Sequence, residues 1–205
     1  MSPHIVASIR QQKLRILSLI LLASFLVLCC DGVVTSAAQS SQKEEREFED
    51  RTPQHLPIKL KVKNLDKVKD LQNENWVEDL EIEVENKSDK PIYFLYFGID
   101  MPDVRAEDNN VMGFSLSYGR DDLIDFTARL QSDDVPIKPG ETCILKIAEA
   151  WQQGWRNFTK RRGISNAAVK KVRIIFQLLN FGDGTGFNSS GGLPVDIHKK
   201  PDGIW

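Results

Sequence analysis

Two short segments in which apolar and charged residues alternate strictly constrain the fold of this chain most. Residues 58–63 read IKLKVK, and residues 80–85 read LEIEVE. Successive side chains of a strand point to opposite faces of a sheet, so a period of two predicts strands with one apolar and one charged face. If the two strands pair, lysines lie opposite glutamates. Each exposed pair contributes about 0.2 to 1 kcal/mol, so these charges set register and solubility more than stability.

Other segments predict further strands around this pair. Residues 92–99 read IYFLYFGI and are apolar on both faces, which is typical of a central strand covered on both sides. Pro139 and Gly140 predict a turn, because proline fixes the first turn angle and glycine tolerates a positive φ. The remaining strand candidates are residues 111–118, 123–126, 143–147 and 172–181.

One amphipathic helix interrupts the strands. Ala148, Trp151, Trp155 and Phe158 recur at spacings of three and four, which places them on one helical face, and Gly163 is a suitable C-cap. This stripe is suited to packing the helix on the sheets. The alternative is that Trp151 and Trp155 bind a ligand by stacking on a sugar.

The order of these elements predicts a mainly β fold, an antiparallel immunoglobulin-like sandwich with one short amphipathic helix. We expect this domain to span residues 56–187. Residues 188–205 are expected to form a loop-rich C-terminal tail.

The N-terminal region has the composition of a secretory signal. Basic residues precede an apolar run over residues 16–28, and small residues follow at 35–38. We therefore predict a signal peptide over residues 1–38, with cleavage after Ala38 and export to the periplasm or the extracellular space. Lipidation at one of the leader cysteines, Cys29 or Cys30, and retention of the leader as a membrane anchor are the alternatives. Residues 39–55 are polar and predict a disordered tether between membrane and domain.

Composition excludes several classes of function. The chain has 27 Lys and Arg against 29 Asp and Glu, which argues against a nucleic-acid partner. The three histidines lie in the leader, the tether and the tail, so neither a zinc site nor a Ser-His-Asp set is expected. Cys143 is the only cysteine beyond the leader and is expected to be a buried free thiol. We predict no cofactor and no enzymatic activity.

Asp183 is the third candidate ligand-binding residue, because glycines flank its carboxylate in the segment NFGDGT. Ca²⁺ requires six to eight oxygen ligands, and a complete calcium loop is not present in the sequence. The segment is similar to a turn of polycystic-kidney-disease repeats, although its first residue, Asn180, stands where that family has Asp. The acidic loops around Asp122 and Asp134 are alternative sites for Ca²⁺.

Two longer segments carry a broader resemblance. Residues 84–93 (VENKSDKPIY) and 137–142 (IKPGET) look like those of many exported bacterial immunoglobulin-like modules. Residues 56–187 also resemble uncharacterised secreted bacterial proteins with the same IYFLYF and FQLLNFGDGTGF stretches. This resemblance implies a fold and an exported location, and no activity. We therefore expect a non-catalytic binding or structural module at the cell envelope, whose partner is a protein or a glycan; the alternative is a carbohydrate-binding or carbohydrate-cleaving domain.

Overall fold

The structure, a computed structural model, describes residues 44–199. The leader and its cleavage site lie outside the described residues. The described part is mainly antiparallel β. In chain order its elements are β1 (Glu47–Asp50), β2 (Ile58–Lys63), α1 (Leu65–Lys69), α2 (Trp76–Asp79), β3 (Glu81–Asn86), β4 (Phe94–Arg105), β5 (Val111–Tyr118), a 3₁₀ turn (Asp121–Ile124), β6 (Thr142–Lys146), α3 (Glu149–Arg162), a 3₁₀ turn (Asn166–Ala168), β7 (Lys171–Asn180), β8 (Thr185–Asn188) and β9 (Leu193–Asp196).

The strands form two sheets. The larger has the order β5-β4-β7-β8-β9, and β1 lies along the first half of β7. The smaller has the order β2-β3-β6 and is antiparallel throughout. The pairing of β1 with β7 is parallel and places Phe48 beside Val172.

Both alternating segments form strands as predicted, and the two strands pair with each other. In the register of β2 with β3, Lys61 lies opposite Glu83 and Leu60 lies opposite Val84. The apolar face of this pair is turned inward, because Ile82 and Val84 have no exposed surface. The charged face is turned to solvent, where the amine of Lys63 lies 3.5 Å from a carboxylate oxygen of Glu83.

Side chains of both sheets share one hydrophobic core. Ile82 and Leu145 of the smaller sheet belong to the same buried cluster as Phe97 and Phe176 of the larger sheet. This arrangement is consistent with a β-sandwich. Strand β4 is covered on both faces, as the sequence predicts, because Phe94 belongs to a second cluster outside that core.

Helix α3 also forms as predicted. Gly163 ends it with a φ of 62°, and its backbone N–H donates to carbonyl oxygens of the last turn. None of the helices in residues 44–199 is long and apolar enough to span a bilayer.

The prediction of a disordered tether is wrong for its second half. Glu47–Asp50 is strand β1, and the preceding Arg46 is fully buried. Parallel pairing with β7 supplies backbone hydrogen bonds that composition alone does not reveal, beginning with Glu47 N–H to Lys170 O at 2.7 Å. The described fold therefore begins before residue 56.

Two further expectations are corrected. The segment around Leu123 forms the 3₁₀ turn Asp121–Ile124 instead of a strand, and Leu123 fills the outer cluster beside Phe94. The glycine-rich segment and the tail contain β8 and β9, which extend the larger sheet beyond residue 187. Strand β8 pairs with β7 and β9 pairs with β8, so these short strands are defined by their partners and their own sequences carry little signal.

Candidate functional site

A groove of about 750 Å³ lies between β1, β2 and α1, and we call it the β1–β2 groove. Its volume lies within the range of small-ligand and peptide sites, about 300 to 1,000 Å³. Its lining comprises Phe48, Asp50, Leu60, Lys61, Val62, Lys63, Asn64, Leu65, Asp66, Lys67, Lys69 and Ile174.

The floor of the groove is apolar and continuous with the core. Ile174 of β7 is 1% exposed, and Phe48, Leu60 and Val62 pack against the core while remaining partly exposed. Phe48, Leu60 and Val62 therefore belong to the parts of the core that the two sheets leave partly uncovered. An apolar occupant would complete their burial, at about 25 cal/mol for each Å² removed from water.

The rim of the groove is basic. Lys61, Lys63, Lys67 and Lys69 contribute to the lining, against two carboxylates. The amine of Lys63 lies 3.5 Å from a carboxylate oxygen of Glu83, and the amine of Lys69 lies 3.9 Å from one of Glu45. Lys61 and Lys67 are exposed and have no ion pair within residues 44–199. The groove thus combines an apolar floor with amines that are available to an anion.

Strand β2 has an unpaired edge within the described residues. It pairs with β3 alone. The backbone N–H of Lys87 donates to Pro57 O at 2.8 Å, so the carbonyl of residue 57 points to the β3 side. Backbone groups alternate in direction along an antiparallel strand, so those of Lys59 and Lys61 point to β3 and those of Leu60 and Val62 point away from it.

Strand β1 likewise pairs only with β7 within the described part of the chain. Glu47 and Arg51 donate their backbone N–H groups to the β7 side, at 2.7 Å and 2.9 Å. The backbone of Phe48 therefore points away from β7. Two strand edges with open hydrogen-bonding positions thus accompany the apolar floor.

Trp155, a candidate from the sequence, is an interior residue. It is 3% exposed and packs with Trp76, Phe114 and Phe158 at ring distances of 6.2, 5.7 and 5.9 Å. Its indole N–H donates to Asn166 Oδ1 at 3.0 Å. The ring is not accessible for stacking on a sugar, and the stripe packs the helix on the core at this position.

Trp151, one turn earlier on α3, is 54% exposed and lies outside the aromatic cluster. The structure therefore does not bring the two tryptophans together as a binding platform. The apolar stripe of the helix packs inward from Trp155 onward.

Asp183 forms a local turn and an ion pair. Its carboxylate accepts hydrogen bonds from the backbone of Thr185 at 3.0 Å and from the amine of Lys90 at 2.8 Å. Partial burial raises the pKa of Asp183, but the hydrogen bonds from Lys90 and Thr185 outweigh it, so its pKa lies below the ordinary value. The side chain of Asp183 is occupied in holding this turn to Lys90.

The other acidic loop is held by an arginine. Arg120 forms ion pairs with Asp122 and with Asp134, the latter at 3.1 Å. Hydrogen bonds from Arg120 and from the backbone of Gln131 lower the pKa of Asp134. No group of three or more His, Cys, Asp or Glu side chains among residues 44–199 is arranged to hold a metal ion.

Arg46 is a structural residue that sequence reasoning missed. Its guanidinium donates to the carbonyl oxygens of Val169 at 2.9 Å, Asn166 at 3.0 Å and Val68, and it lies 4.4 Å from the ring centre of Trp76. Burial lowers the pKa of Arg46 to about 10, against the opposing charge of Asp70. The sequence signal for this role is weak: Arg46 lies two residues before Phe48, the one apolar residue of β1, and residues two apart in an extended chain lie on the same face.

In comparisons with known proteins, no family model, curated protein or solved structure matches this chain.

Proposed function

We propose that this chain is an exported, non-catalytic β-sandwich module of immunoglobulin-like type that acts at the cell envelope as a binding module. The β1–β2 groove is its binding site. The observation that carries this proposal is the combination of a partly exposed apolar floor with the unpaired amines of Lys61 and Lys67. Such a groove suits an occupant that is apolar in part and negatively charged in part.

Export and family are supported by sequence alone. The basic, apolar and small-residue order of residues 1–38 supports export, and the segments at 84–93 and 137–142 support kinship with secreted bacterial immunoglobulin-like modules. A chain produced in a secreting bacterium should carry Gln39 as its first residue, which mass spectrometry would identify. A cytoplasmic product with an intact N-terminus would contradict export.

The alternative of a carbohydrate-binding or carbohydrate-cleaving domain has weaker support. It relies on Trp151 or Trp155 as a stacking partner, or on the carboxylates of the acidic loops. Trp155 is buried and Asp183 is paired with Lys90. Trp151 remains exposed and offers a sugar a single stacking partner.

The binding proposal can be tested with the dye ANS, an anilinonaphthalene sulfonate. This dye has an apolar aromatic body and a negatively charged sulfonate group, and its fluorescence increases when it binds to an apolar surface. We expect the folded full chain to bind it saturably. The substitution Lys67→Glu should weaken binding about fivefold, because reversing one surface charge near an anion changes its free energy by roughly 1 kcal/mol.

The matched control is Lys138→Glu, which makes the same change of charge at an exposed lysine that does not line the groove. This variant should bind the dye like the unsubstituted chain. Equal weakening by both substitutions, or no binding to the folded chain, would contradict the assignment of the groove.

A further inference from the structure

We propose that the β1–β2 groove binds an extended acidic segment of a partner protein, which adds to strand β2 as a new neighbouring strand. This inference rests on the proposed binding function and names the class of its ligand. The segment would alternate acidic and aliphatic residues over about six positions, to match the six residues of β2.

The backbone of β2 supplies the first part of the argument. The N–H and C=O groups of Ile58, Leu60 and Val62 point away from β3, and no hydrogen bond within the described part of the chain uses them. A strand edge of this kind is the element to which an extended peptide adds in strand-addition complexes. A ligand without a peptide backbone would leave these groups to water.

The charges of β2 supply the second part. Its outward side chains are Lys59, Lys61 and Lys63, so a neighbouring strand is favoured when it presents carboxylates at the opposite positions. Strand β3 already does so on the other side, where Glu81, Glu83 and Glu85 face these lysines. The molecule itself therefore contains an example of the complementary sequence, EIEVEN.

The same lysines argue against a second copy of this chain as the occupant. Two β2 strands placed edge to edge would bring lysines opposite lysines, and like charges directly opposite each other destabilise a strand pair. Lysines on an edge strand are a known protection against self-association. An acidic strand reverses this effect, because its carboxylates neutralise the lysines.

The apolar floor supplies the third part. An added strand that alternates in this way turns its acidic residues to the outside and its aliphatic residues to the inside. Inside, the aliphatic side chains would meet Phe48, Leu60 and Val62, which are partly exposed in the groove. The two faces of the ligand thus correspond to the two faces of β2.

The test uses a fluorescein-labelled peptide with the sequence of residues 80–86, LEIEVEN, and the full chain. Fluorescence anisotropy should show saturable binding that weakens as salt increases. Lys61→Glu should weaken binding at least fivefold, and Lys138→Glu should leave it unchanged. A peptide with lysine in place of each glutamate should not bind. Failure of the parent peptide to bind would overturn the inference.

Strand addition is separated from simple filling of the groove by two peptides that are N-methylated at alternate amides. Methylation removes the N–H donors of one peptide edge and leaves the side chains unchanged. At least one of the two should bind more than tenfold more weakly than the parent. If both bind like the parent, addition to a strand edge is ruled out.

Amide hydrogen exchange locates the bound strand. Binding should slow exchange at Leu60 and Val62, whose N–H groups point away from β3, and leave Lys59 and Lys61 protected as before. Loss of protection at Lys59 and Lys61 would show that the peptide displaces β3, which also overturns the inference. Dye binding at the groove without peptide binding would retain the proposed function and reject the strand partner, whereas failure of both would reject both.

Discussion

Arg46 occupies a core position although its neighbours Glu45 and Glu47 are exposed. A guanidinium has five N–H donors and no acceptor, so its burial requires several acceptors in the right places. Carbonyl oxygens from Val68, Asn166 and Val169 meet that requirement. Arg46 thereby joins the chain before β1 to helix α1 and to the turn before β7.

We predict that Arg46→Met destabilises the protein by about 2 to 4 kcal/mol, because it leaves buried carbonyl groups without their charged donor. Urea unfolding followed by tryptophan fluorescence would measure this change. Arg51→Met is the control: that side chain is exposed and pairs with Glu49, so it should cost less than about 1 kcal/mol. Equal effects of the two substitutions would contradict a structural role for Arg46.

Cys143 is a free cysteine that is partly buried, and its side chain packs against the core. The prediction of a free thiol is confirmed, and the prediction that it is buried is corrected to partial burial. Desolvation raises the pKa of Cys143 from 9.0 to about 11. The burial of the thiol is incomplete because β6 is an edge strand of the smaller sheet.

A thiol reagent at pH 8 should label native Cys143 about 100-fold more slowly than the unfolded chain, since the reactive thiolate is that much rarer at the higher pKa. Because the folded state keeps its proton while the unfolded state loses it, the free energy of unfolding should fall as pH rises from 9 to 11. Comparing Cys143→Ala with the unsubstituted chain over this pH range isolates the effect. Equal labelling rates in both states would contradict it.

At the scale of the element, α3 shows two glycines with opposite roles. Gly154 lies within the helix, and Gly163 ends it in the left-handed conformation. A Cβ atom added at either position would meet no other atom within 4 Å. An alanine side chain therefore has room at both positions, so only the backbone conformation determines whether alanine stabilises or destabilises the helix there.

We predict that Gly154→Ala stabilises the protein by about 1 kcal/mol, because alanine loses less backbone entropy in a helix. Gly163→Ala should destabilise it by about 1 kcal/mol, because a side chain disfavours a φ of 62°. Thermal unfolding of the two variants, side by side, measures both changes. Shifts of the same sign would show that backbone conformation does not control the end of the helix.

Elements with a strong local pattern could be predicted from the sequence, and elements defined by distant partners could not. The alternation of residues 58–63 predicts a strand, and the stripe ending at Phe158 predicts a helix, although Ala148 and Trp151 of that stripe are exposed. Strand β1 has a single apolar residue, Phe48, and forms because Lys171–Asn180 offers it an edge more than a hundred residues later. Composition describes a segment alone and therefore classified β1 with unstructured chains.

The same distinction applies to the candidate site. Trp155 and Asp183 have residue types that suit binding, but the fold uses one in the core and the other in a turn. The groove combines Phe48, Lys61 and Lys67 from three elements, so no local motif indicates it. The sequence predicts Lys61 and Lys63 on the charged face of β2, but it does not predict that β1 and α1 lie beside them.

At the scale of the whole molecule, the described residues form one compact unit that begins at Glu44. Its two sheets are of unequal size, and the smaller one leaves part of the core exposed at the β1–β2 groove. The described fold therefore begins in a segment that composition would assign to a linker.

Limited digestion with trypsin tests that boundary. Native protein should resist cleavage after Arg46, because this residue is buried and β1 is paired along its length with β7. The chain unfolded in urea should be cleaved there readily. Early appearance of a fragment that begins at Glu47 in native protein would show that the segment is a flexible tether after all.

The parallel pairing of β1 also determines when the fold can be completed. Glu47 is made early by the ribosome, but its partner Lys171 follows 124 residues later. Closing so long a loop costs conformational entropy before the contacts between β1 and β7 can form. Strand β1 is therefore expected to join the sheet late in folding. Until then Phe48 and Val172 lack each other as neighbours across the strand pair, and a chaperone would meet an unfinished sheet edge.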